Sequence, residues 1–165
     1  MPKKALLVLD VDGTVLPLPP RRLGGSLGRT SAPPGYRDAR AWGFDVRVPE
    51  VLQRALPRFA EAFELVWCSS WLGEANREVG PLFGLAELPV LVPAPEPRRG
   101  WWKLRAVAEY AASSPLVWAD DEMNSTARRW ATARPAPTLL IRPAPERGIS
   151  TRQLVLIEHF AAQLT

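Results

Sequence analysis

Short runs of consecutive apolar residues recur along the chain, and each run ends at acidic, hydroxyl-bearing or turn-forming residues. The runs contain Val and Leu and show little alternation of apolar and polar positions. Both features are typical of strands that are buried on both faces of a sheet. We therefore predict strands at Ala5–Leu9, Leu65–Cys68, Leu116–Ala119 and Thr138–Ile141, and a further short strand at Pro89–Val92.

Between these runs, apolar residues recur at spacings of three and four, which is the period of an amphipathic helix. The alternation of strands and helices predicts an α/β fold with a mainly parallel central sheet. The first predicted helix begins at Pro49 and ends between Phe59 and Phe63, and the second follows Ser70 and carries Trp71, Asn76 and Arg77. The third lies within Gly100–Ser114, and its inward stripe consists of Trp101, Leu104, Val107 or Ala108, and Ala111. Two more helices are predicted at Ser125–Ala133 and Ser150–Leu164.

The segment at about 15–48 has neither pattern, because its Pro, Gly and Ser residues prevent a long regular element. Only Ala41–Val48 is patterned as a short strand or hairpin arm. Irregular loops of this length are more often functional than idle, so we predict a flap. Its arginines either face a phosphate-bearing partner or form a solvated basic surface; they are Arg21, Arg22, Arg29, Arg37, Arg40 and Arg47.

Size and composition limit the possible classes of protein. The 165 residues suit a single domain over 1–165. The net charge of +4 is compatible with a phosphorylated partner but does not establish nucleic-acid binding. No apolar run is long enough to span a membrane, the first run is too short for a secretory signal, and a single cysteine excludes an internal disulfide. We therefore expect a cytoplasmic protein without a membrane partner.

Pairs of acidic residues follow two of the predicted strands. Asp10 and Asp12 come directly after the first, and Asp120 and Asp121 directly after the strand that ends at Ala119. If these strands are parallel neighbours, their carboxyl ends meet at the edge where open α/β sheets bind ligands. The carboxylates then converge on a divalent cation that neutralises their repulsion. The alternative is that Asp10 and Asp12 only cap a turn at Gly13.

The segment DVDGT at 10–14 resembles the first signature of the haloacid dehalogenase superfamily, most of whose members are Mg²⁺-dependent phosphatases. The other three signatures of that family have counterparts in order along the chain: Ser69, Lys103, and the pair Asp120 and Asp121. The resemblance implies a three-layer, doubly wound Rossmann-like domain without a large cap. WCSSW and WADDE look like a capless subgroup related to phosphatase-like domains of bacterial RNA-repair proteins.

The resemblance also implies a role for each residue. Asp10 would attack phosphorus to form an aspartyl-phosphate, and Asp12 would act as general acid and base and bind metal through its backbone carbonyl. Mg²⁺ would be held by Asp10, Asp12 and Asp120, with Asp121 orienting its waters. Ser69 and Lys103 would be catalytic and would hold the phosphoryl oxygens, with Thr14, Ser70, Arg98 and Arg99 as further substrate-binding candidates. Arg98 or Arg99 could take the place of Lys103.

The expected function is therefore that of a Mg²⁺-dependent phosphohydrolase with an open site. In the resembled family a capless site often serves large substrates such as proteins or nucleic acids, so we expect a phosphorylated nucleic-acid end or another large phosphorylated substrate. The arginines give weak support to the nucleic-acid end, as do four tryptophans that could stack on bases although tryptophans are more often core residues: Trp42, Trp71, Trp101 and Trp102. The alternatives are a phosphatase of small metabolites and a binding domain that does little chemistry. The sequence does not indicate an oligomeric state.

Two other motifs are not supported by their surroundings. GGSLG at 24–28 matches the nucleophile motif of α/β-hydrolases, and a lone His159 follows, but neither a strand nor a helix is predicted beside the motif. Cys68 lacks the arginine six positions later that a cysteine phosphatase needs, because position 74 is Glu. Cys68 is therefore expected to be a buried strand residue.

Overall fold

The elements of the protein follow from a computed structural model that describes residues 4–19, 31–94 and 100–164. Strands and helices alternate after an N-terminal strand and a β-hairpin. The elements are β1 (Ala5–Leu9), β2 (Tyr36–Ala41), β3 (Phe44–Pro49), α1 (Glu50–Ala62), β4 (Phe63–Trp67), a π-helix (Ala75–Val79), a 3₁₀-helix (Gly80–Phe83), α2 (Trp102–Ala111), β5 (Leu116–Ala119), α3 (Ser125–Ala133), β6 (Thr138–Ile141) and α4 (Thr151–Ala162).

The central sheet has four strands in the order β4-β1-β5-β6, and all of its neighbouring pairs are parallel. The prediction of an α/β fold with a mainly parallel sheet is thus confirmed, and the arrangement is consistent with a Rossmann-like domain. Leu9 pairs with Trp67 on one side and with Ala119 on the other. The residues that follow these three positions therefore lie at the same edge of the sheet.

Each face of the sheet is covered by its own hydrophobic cluster. Leu7 and Leu9 of β1 belong to a cluster that includes residues of α1 and α4, whereas Leu6 and Val8 belong to one that includes residues of α2 and α3. This division explains the sequence pattern, because successive side chains of a strand point to opposite faces. A run that is apolar at every position is required where both faces are covered.

Strands β2 and β3 form a separate antiparallel hairpin with a two-residue loop at Trp42 and Gly43. Both loop residues have positive φ, 48° and 79°, as a type I′ turn requires. The hairpin occupies the end of the predicted flap, and it begins at Tyr36 rather than Ala41. The GGSLG motif at 24–28 lies outside the described residues.

Two predicted elements, the strand at Pro89–Val92 and the helix after Ser70, differ from the structure. Pro89–Val92 forms a single parallel bridge from Val90 to Trp67 rather than a strand, because proline has no N–H to donate to a ladder. After Ser70 the chain forms turns, then the π-helix and the 3₁₀-helix instead of an α-helix. Leu72 in this segment has a left-handed φ of 49°, and Pro81 cannot continue an α-helical hydrogen-bond ladder.

In α2 the buried residues are Lys103, Val107 and Ala111, so the inward stripe begins at a charged residue, whereas the predicted Leu104 is only half-buried. The remaining predicted helices and the strands β5 and β6 have the expected positions to within two residues. Within the described part of the chain, none of the helices combines the length and apolarity that a bilayer crossing needs.

Candidate functional site

The carboxyl ends of β1 and β5 place two aspartates side by side at one edge of the sheet. Asp10 follows β1, and its backbone N–H donates to the Ala119 carbonyl at 3.1 Å. Asp120 follows β5, and its N–H donates to the Ile141 carbonyl of β6 at 3.0 Å. Sheet hydrogen bonds thus hold both backbones, and Asp10 and Asp120 as whole residues are 4% and 0% exposed.

Lys103 connects these two aspartates from the first turn of α2. Its Nζ lies 2.9 Å from Asp10 Oδ1 and 2.8 Å from Asp120 Oδ2. A cation in the first turn is unfavourable for the helix dipole, and two buried carboxylates supply the partner that offsets this cost. The side chain of Lys103 is itself 7% exposed, so the ion pairs form in a site with little screening by solvent.

The loop after β1 is tied to the loop after β5 by Thr14 and Gly13. Thr14 Oγ1 donates to Asp10 Oδ2 at 3.4 Å and accepts from the Asp121 N–H at 3.1 Å. Gly13 has φ +69°, and a Cβ at this position would lie 2.5 Å from Asp121 Oδ2. A glycine is therefore required for the carboxylate of Asp121 to approach. Thr14 is fully buried and links the two acidic loops; its substrate-binding role stays a prediction.

The predicted convergence of carboxylates is confirmed for three of the four acids. One carboxylate oxygen from each of Asp10, Asp120 and Asp121 lies within 4.8 Å of the others. With three carboxylates and one ammonium, the fully ionised cluster has two negative charges in excess. We call these four residues, Asp10, Lys103, Asp120 and Asp121, the acidic cluster.

Burial and mutual repulsion shift the pKa values of this cluster. Burial raises the pKa of Asp10 to about 6 although the charge of Lys103 acts in the opposite direction. Burial, with Asp10 as the next largest cause, raises the pKa of Asp120 to about 6. The pKa of Asp121 is also raised, mainly by burial. Burial alone would lower the pKa of Lys103, but the charges of Asp10 and Asp120 more than offset it and leave this pKa above its usual value.

The donors of the acidic cluster fit a hard divalent cation. The three candidate ligands are carboxylate oxygens, which are the ligands that Mg²⁺ and Ca²⁺ prefer. Cys68, the only cysteine of the sequence, is buried and is not one of the grouped ligands, so the group offers no thiolate to a soft metal.

Asp12 has a different environment from Asp10. Its carboxylate is not part of the three-carboxylate group; instead, Oδ2 accepts a hydrogen bond of 2.9 Å from Trp71 Nε1. Asp12 is half-buried and lies on the wall of a large cleft beside the hairpin. Of the expected metal contacts of Asp12, the structure therefore leaves only its backbone carbonyl as a candidate.

The hydroxyl-bearing residues after β4 have separate positions. Ser69 is buried, and its Oγ accepts from the Trp71 N–H at 3.2 Å, so its hydroxyl hydrogen is available to another acceptor. Ser70 is exposed and lines the cleft. It does not cap an α-helix, since turns follow it. Arg98 and Arg99 lie outside the described residues.

Sequence reasoning did not find the contact between Trp71 and Asp12, which joins residues 59 positions apart. Trp71 is 7% exposed and packs against Trp42 of the hairpin loop, with ring centroids 5.5 Å apart. Trp101, in contrast, stacks on the buried Trp118, as expected for a core residue. The sequence feature that could have indicated the contact with Asp12 is the position of Trp71, two residues after Ser69. A residue so close to the end of a strand lies near the edge of the sheet that carries the acids.

Comparisons with known proteins add no identification. The chain matches no protein-family model, no curated protein and no solved structure. The function is therefore inferred from the residues of this chain and their geometry.

Proposed function

We propose that this protein is a Mg²⁺-dependent phosphohydrolase of the haloacid dehalogenase type, with a doubly wound three-layer fold and no large cap. The observation that carries the proposal is the buried arrangement of Asp10, Lys103 and Asp120, with Asp121 within 4.8 Å and Asp12 two residues from Asp10. The two carboxylates after β1 have different surroundings, and such a difference allows one to serve as nucleophile and the other as acid and base.

In the proposed reaction the Asp10 carboxylate attacks the phosphorus of a phosphomonoester. The bond from phosphorus to the ester oxygen breaks, and this oxygen takes a proton from the protonated carboxyl of Asp12, so an alcohol leaves and an aspartyl-phosphate remains. Asp12 then removes a proton from water, whose oxygen attacks the same phosphorus. Inorganic phosphate departs, and both aspartates return to their starting states.

The remaining residues hold charge during these steps. Lys103 pairs with the attacking carboxylate and offers its N–H groups to phosphoryl oxygens, and Ser69 has a hydroxyl hydrogen to donate. Asp10, Asp120 and Asp121 would hold Mg²⁺, which when bound supplies positive charge between an anionic nucleophile and an anionic substrate. Thr14 keeps the two acidic loops in register.

The test is phosphate release from p-nitrophenyl phosphate by the purified chain, with Mg²⁺ and with EDTA. We expect turnover that requires Mg²⁺ and falls by about 1,000-fold or more in Asp10→Asn, which removes the charge of the nucleophile but keeps its shape. Glu109→Gln is the matched control, since Glu109 is an exposed acid of α2. Equal turnover in wild type and Asp10→Asn would overturn the proposal.

A further inference from the structure

A large cleft lies between the hairpin and the loop after β1. Its volume is about 1360 Å³, which exceeds the usual range for sites of drug-sized ligands. Asp12, Ser70 and Trp71 form part of one wall, and Trp42 and Phe44 of the hairpin form part of another. We call this space the hairpin cleft. Because Asp12 would protonate the departing oxygen in the proposed reaction, the group attached to that oxygen must occupy this cleft.

The hairpin presents two aromatic rings to the cleft. Trp42 is 52% exposed and Phe44 is 63% exposed, the largest exposed fractions among the aromatic residues of the described chain. Trp42 also packs against Trp71, whose indole N–H donates to Asp12. The aromatic surface is therefore continuous with the side chain that holds the proposed acid. Exposed flat rings beside a reactive group favour a ligand with a planar ring of its own.

The backbone at Trp42 indicates that this ring is not present for stability. Residues with positive φ at the first loop position of a type I′ turn are usually Asn, Asp or Gly, and a bulky side chain there is an outlier. Trp42 nevertheless adopts φ 48°. Its N–H donates to Glu78 Oε2 at 2.7 Å, which holds the loop toward the segment that carries Trp71. Strain of this kind clusters at ligand-binding sites, where the surrounding structure maintains it.

The described walls of the hairpin cleft carry charges of both signs. Their ionisable residues are four acids, Asp12, Asp38, Asp45 and Glu146, and three arginines, Arg40, Arg47 and Arg147. Arg40 is also paired with Asp45 at 3.6 Å. Arg21, Arg22 and Arg29 of the predicted flap lie outside the described residues. The described walls thus combine aromatic rings with carboxylates that accept hydrogen bonds from hydroxyl and amino groups.

From these observations we propose that the hairpin cleft binds the nucleoside part of a nucleoside monophosphate, with its base against Trp42 and Phe44. A nucleoside has a planar ring, several hydroxyl groups and no net charge, which matches the lining of the cleft. The inference rests on the proposed function, because the phosphate of the same molecule would meet Asp10. It replaces the expected nucleic-acid end with a single nucleotide.

The first experiment compares substrates that differ only in the base. Adenosine 5′-monophosphate and ribose 5-phosphate have the same primary alcohol as leaving group, so chemistry affects both equally. We expect kcat/KM to be about 10-fold or more higher for the nucleotide in at least one of two matched pairs, adenosine 5′-monophosphate with ribose 5-phosphate and adenosine 3′-monophosphate with ribose 3-phosphate. Equal values within both pairs would overturn the inference, as would a 5′-phosphorylated oligonucleotide that is hydrolysed more than 10-fold better than both mononucleotides.

The variant Trp42→Asn tests the same surface without disturbing the hairpin, because Asn is favoured at this turn position. We expect it to lose the preference for the nucleotide over ribose 5-phosphate and to melt at or above the wild-type temperature. Trp42→Phe retains a ring and should retain most of the preference. A nucleotide preference that is unchanged in Trp42→Asn contradicts the inference and leaves the phosphohydrolase proposal standing.

Binding of adenosine, which has no phosphate, separates the two proposals if no ester is hydrolysed. Calorimetric titration should then show adenosine binding to the wild-type chain and a loss of about 10-fold or more in affinity with Trp42→Asn. That result would support the cleft as a nucleoside site although the phosphohydrolase proposal had failed. Absence of adenosine binding to the wild-type chain would overturn the inference about the cleft.

Discussion

The hydrogen bond from Trp71 to Asp12 gives the two aspartates after β1 different chemical surroundings. Asp10 is buried against Lys103, whereas Asp12 is half-buried and accepts the indole N–H at 2.9 Å. An acceptor oxygen that is held by a fixed donor has a defined direction, so this hydrogen bond orients the carboxylate of Asp12. Trp71 is therefore a positioning residue that acts through Asp12.

Trp71→Phe is expected to impair the hydrolysis of esters according to their leaving groups. The phenyl ring preserves most of the packing but removes the donor, so Asp12 is no longer held for proton transfer. β-Glycerophosphate needs protonation of its leaving oxygen, and its kcat/KM should fall by about 10- to 100-fold. The leaving group of 2,4-dinitrophenyl phosphate departs without a proton, and kcat/KM, which does not include the later hydrolysis of the aspartyl-phosphate, should change little for this ester.

Trp67→Phe is the matched control for this prediction. Trp67 is another buried tryptophan, and its Nε1–H donates to Asn76 Oδ1 at 3.0 Å, away from the acidic cluster. Loss of this hydrogen bond should change the kcat/KM values of both esters by the same factor. A fall of equal size for both esters with Trp71→Phe would show that Trp71 has only a structural role.

Gly13→Ala is expected to weaken Mg²⁺ binding in addition to lowering stability. A Cβ at this position would lie 2.5 Å from Asp121 Oδ2 and 3.0 Å from Pro145 Cβ, so the carboxylate must move away from the acidic cluster. Gly35→Ala is the control, because Gly35 also has a positive φ, +85°, but its added Cβ would meet nothing within 4 Å. Both variants should lose about 1 kcal/mol or more of unfolding free energy.

The measurement that distinguishes these two glycine variants is a Mg²⁺ titration of the melting temperature. Only Gly13→Ala should require about 10-fold or more Mg²⁺ for the same increase in melting temperature. Equal Mg²⁺ dependence in the two variants would mean that the approach of Asp121 is irrelevant to metal binding.

At the level of elements, helix α2 supplies the cation of the acidic cluster. Lys103 belongs to the buried face of α2 together with Val107 and Ala111, so the packing of this helix on the sheet sets the position of Nζ. Without Lys103, Asp10 and Asp120 would remain buried beside each other with no positive partner. Breaking a buried pair in this way usually costs several kcal/mol.

Lys103→Met is therefore expected to destabilise the metal-free protein by about 3–5 kcal/mol, as measured by denaturant unfolding in EDTA. Mg²⁺ should restore part of this loss, because it supplies positive charge to the same carboxylates. Phosphate release should nevertheless stay about 100-fold or more below wild type, since Mg²⁺ does not replace the N–H donors of Lys103. Arg105→Met on the same helix is the control. If Arg105→Met lost as much stability as Lys103→Met, the burial of Asp10 and Asp120 without a positive partner would not explain the loss.

Local sequence patterns predicted the strands that are flanked by prolines or by acidic residues. Thr138–Ile141 is preceded by Pro137 and followed by Arg142 and Pro143, and Leu116–Ala119 is ended by acids, so both strands have the predicted bounds. The convergence of Asp10 and Asp120 also followed from sequence, because it needs only that β1 and β5 be parallel neighbours.

The other features depend on contacts between distant segments, which local patterns do not encode. The segment after Ser70 is held by tertiary hydrogen bonds, such as those of Asn76 with Trp67 and Leu88. The exposed position of Trp42 depends on the hairpin loop and on Glu78. Helical spacing alone predicted neither feature.

For the whole molecule, the acidic cluster makes the effect of Mg²⁺ on stability depend on pH. The pKa values of Asp10 and Asp120 are raised to about 6 in the folded state, above the values near 4 of an unfolded chain. The folded state therefore binds more protons between about pH 4 and pH 6. By linkage, ionisation of these two groups lowers the free energy of unfolding of the metal-free protein as the pH rises through this range.

Mg²⁺ binds the carboxylate forms, so its affinity should increase over the same pH range. We expect the increase in melting temperature caused by Mg²⁺ to be small at about pH 5 and to approach its full size above about pH 7. Differences between melts with Mg²⁺ and with EDTA at each pH cancel the titration of acids outside the site. In Asp10→Asn the same difference should be much smaller at every pH, because that variant lacks one of the three carboxylates. A Mg²⁺-dependent increase that is the same at pH 5 and pH 7.5 would mean that Mg²⁺ binds elsewhere, since no other described aspartates or glutamates combine such proximity with this burial.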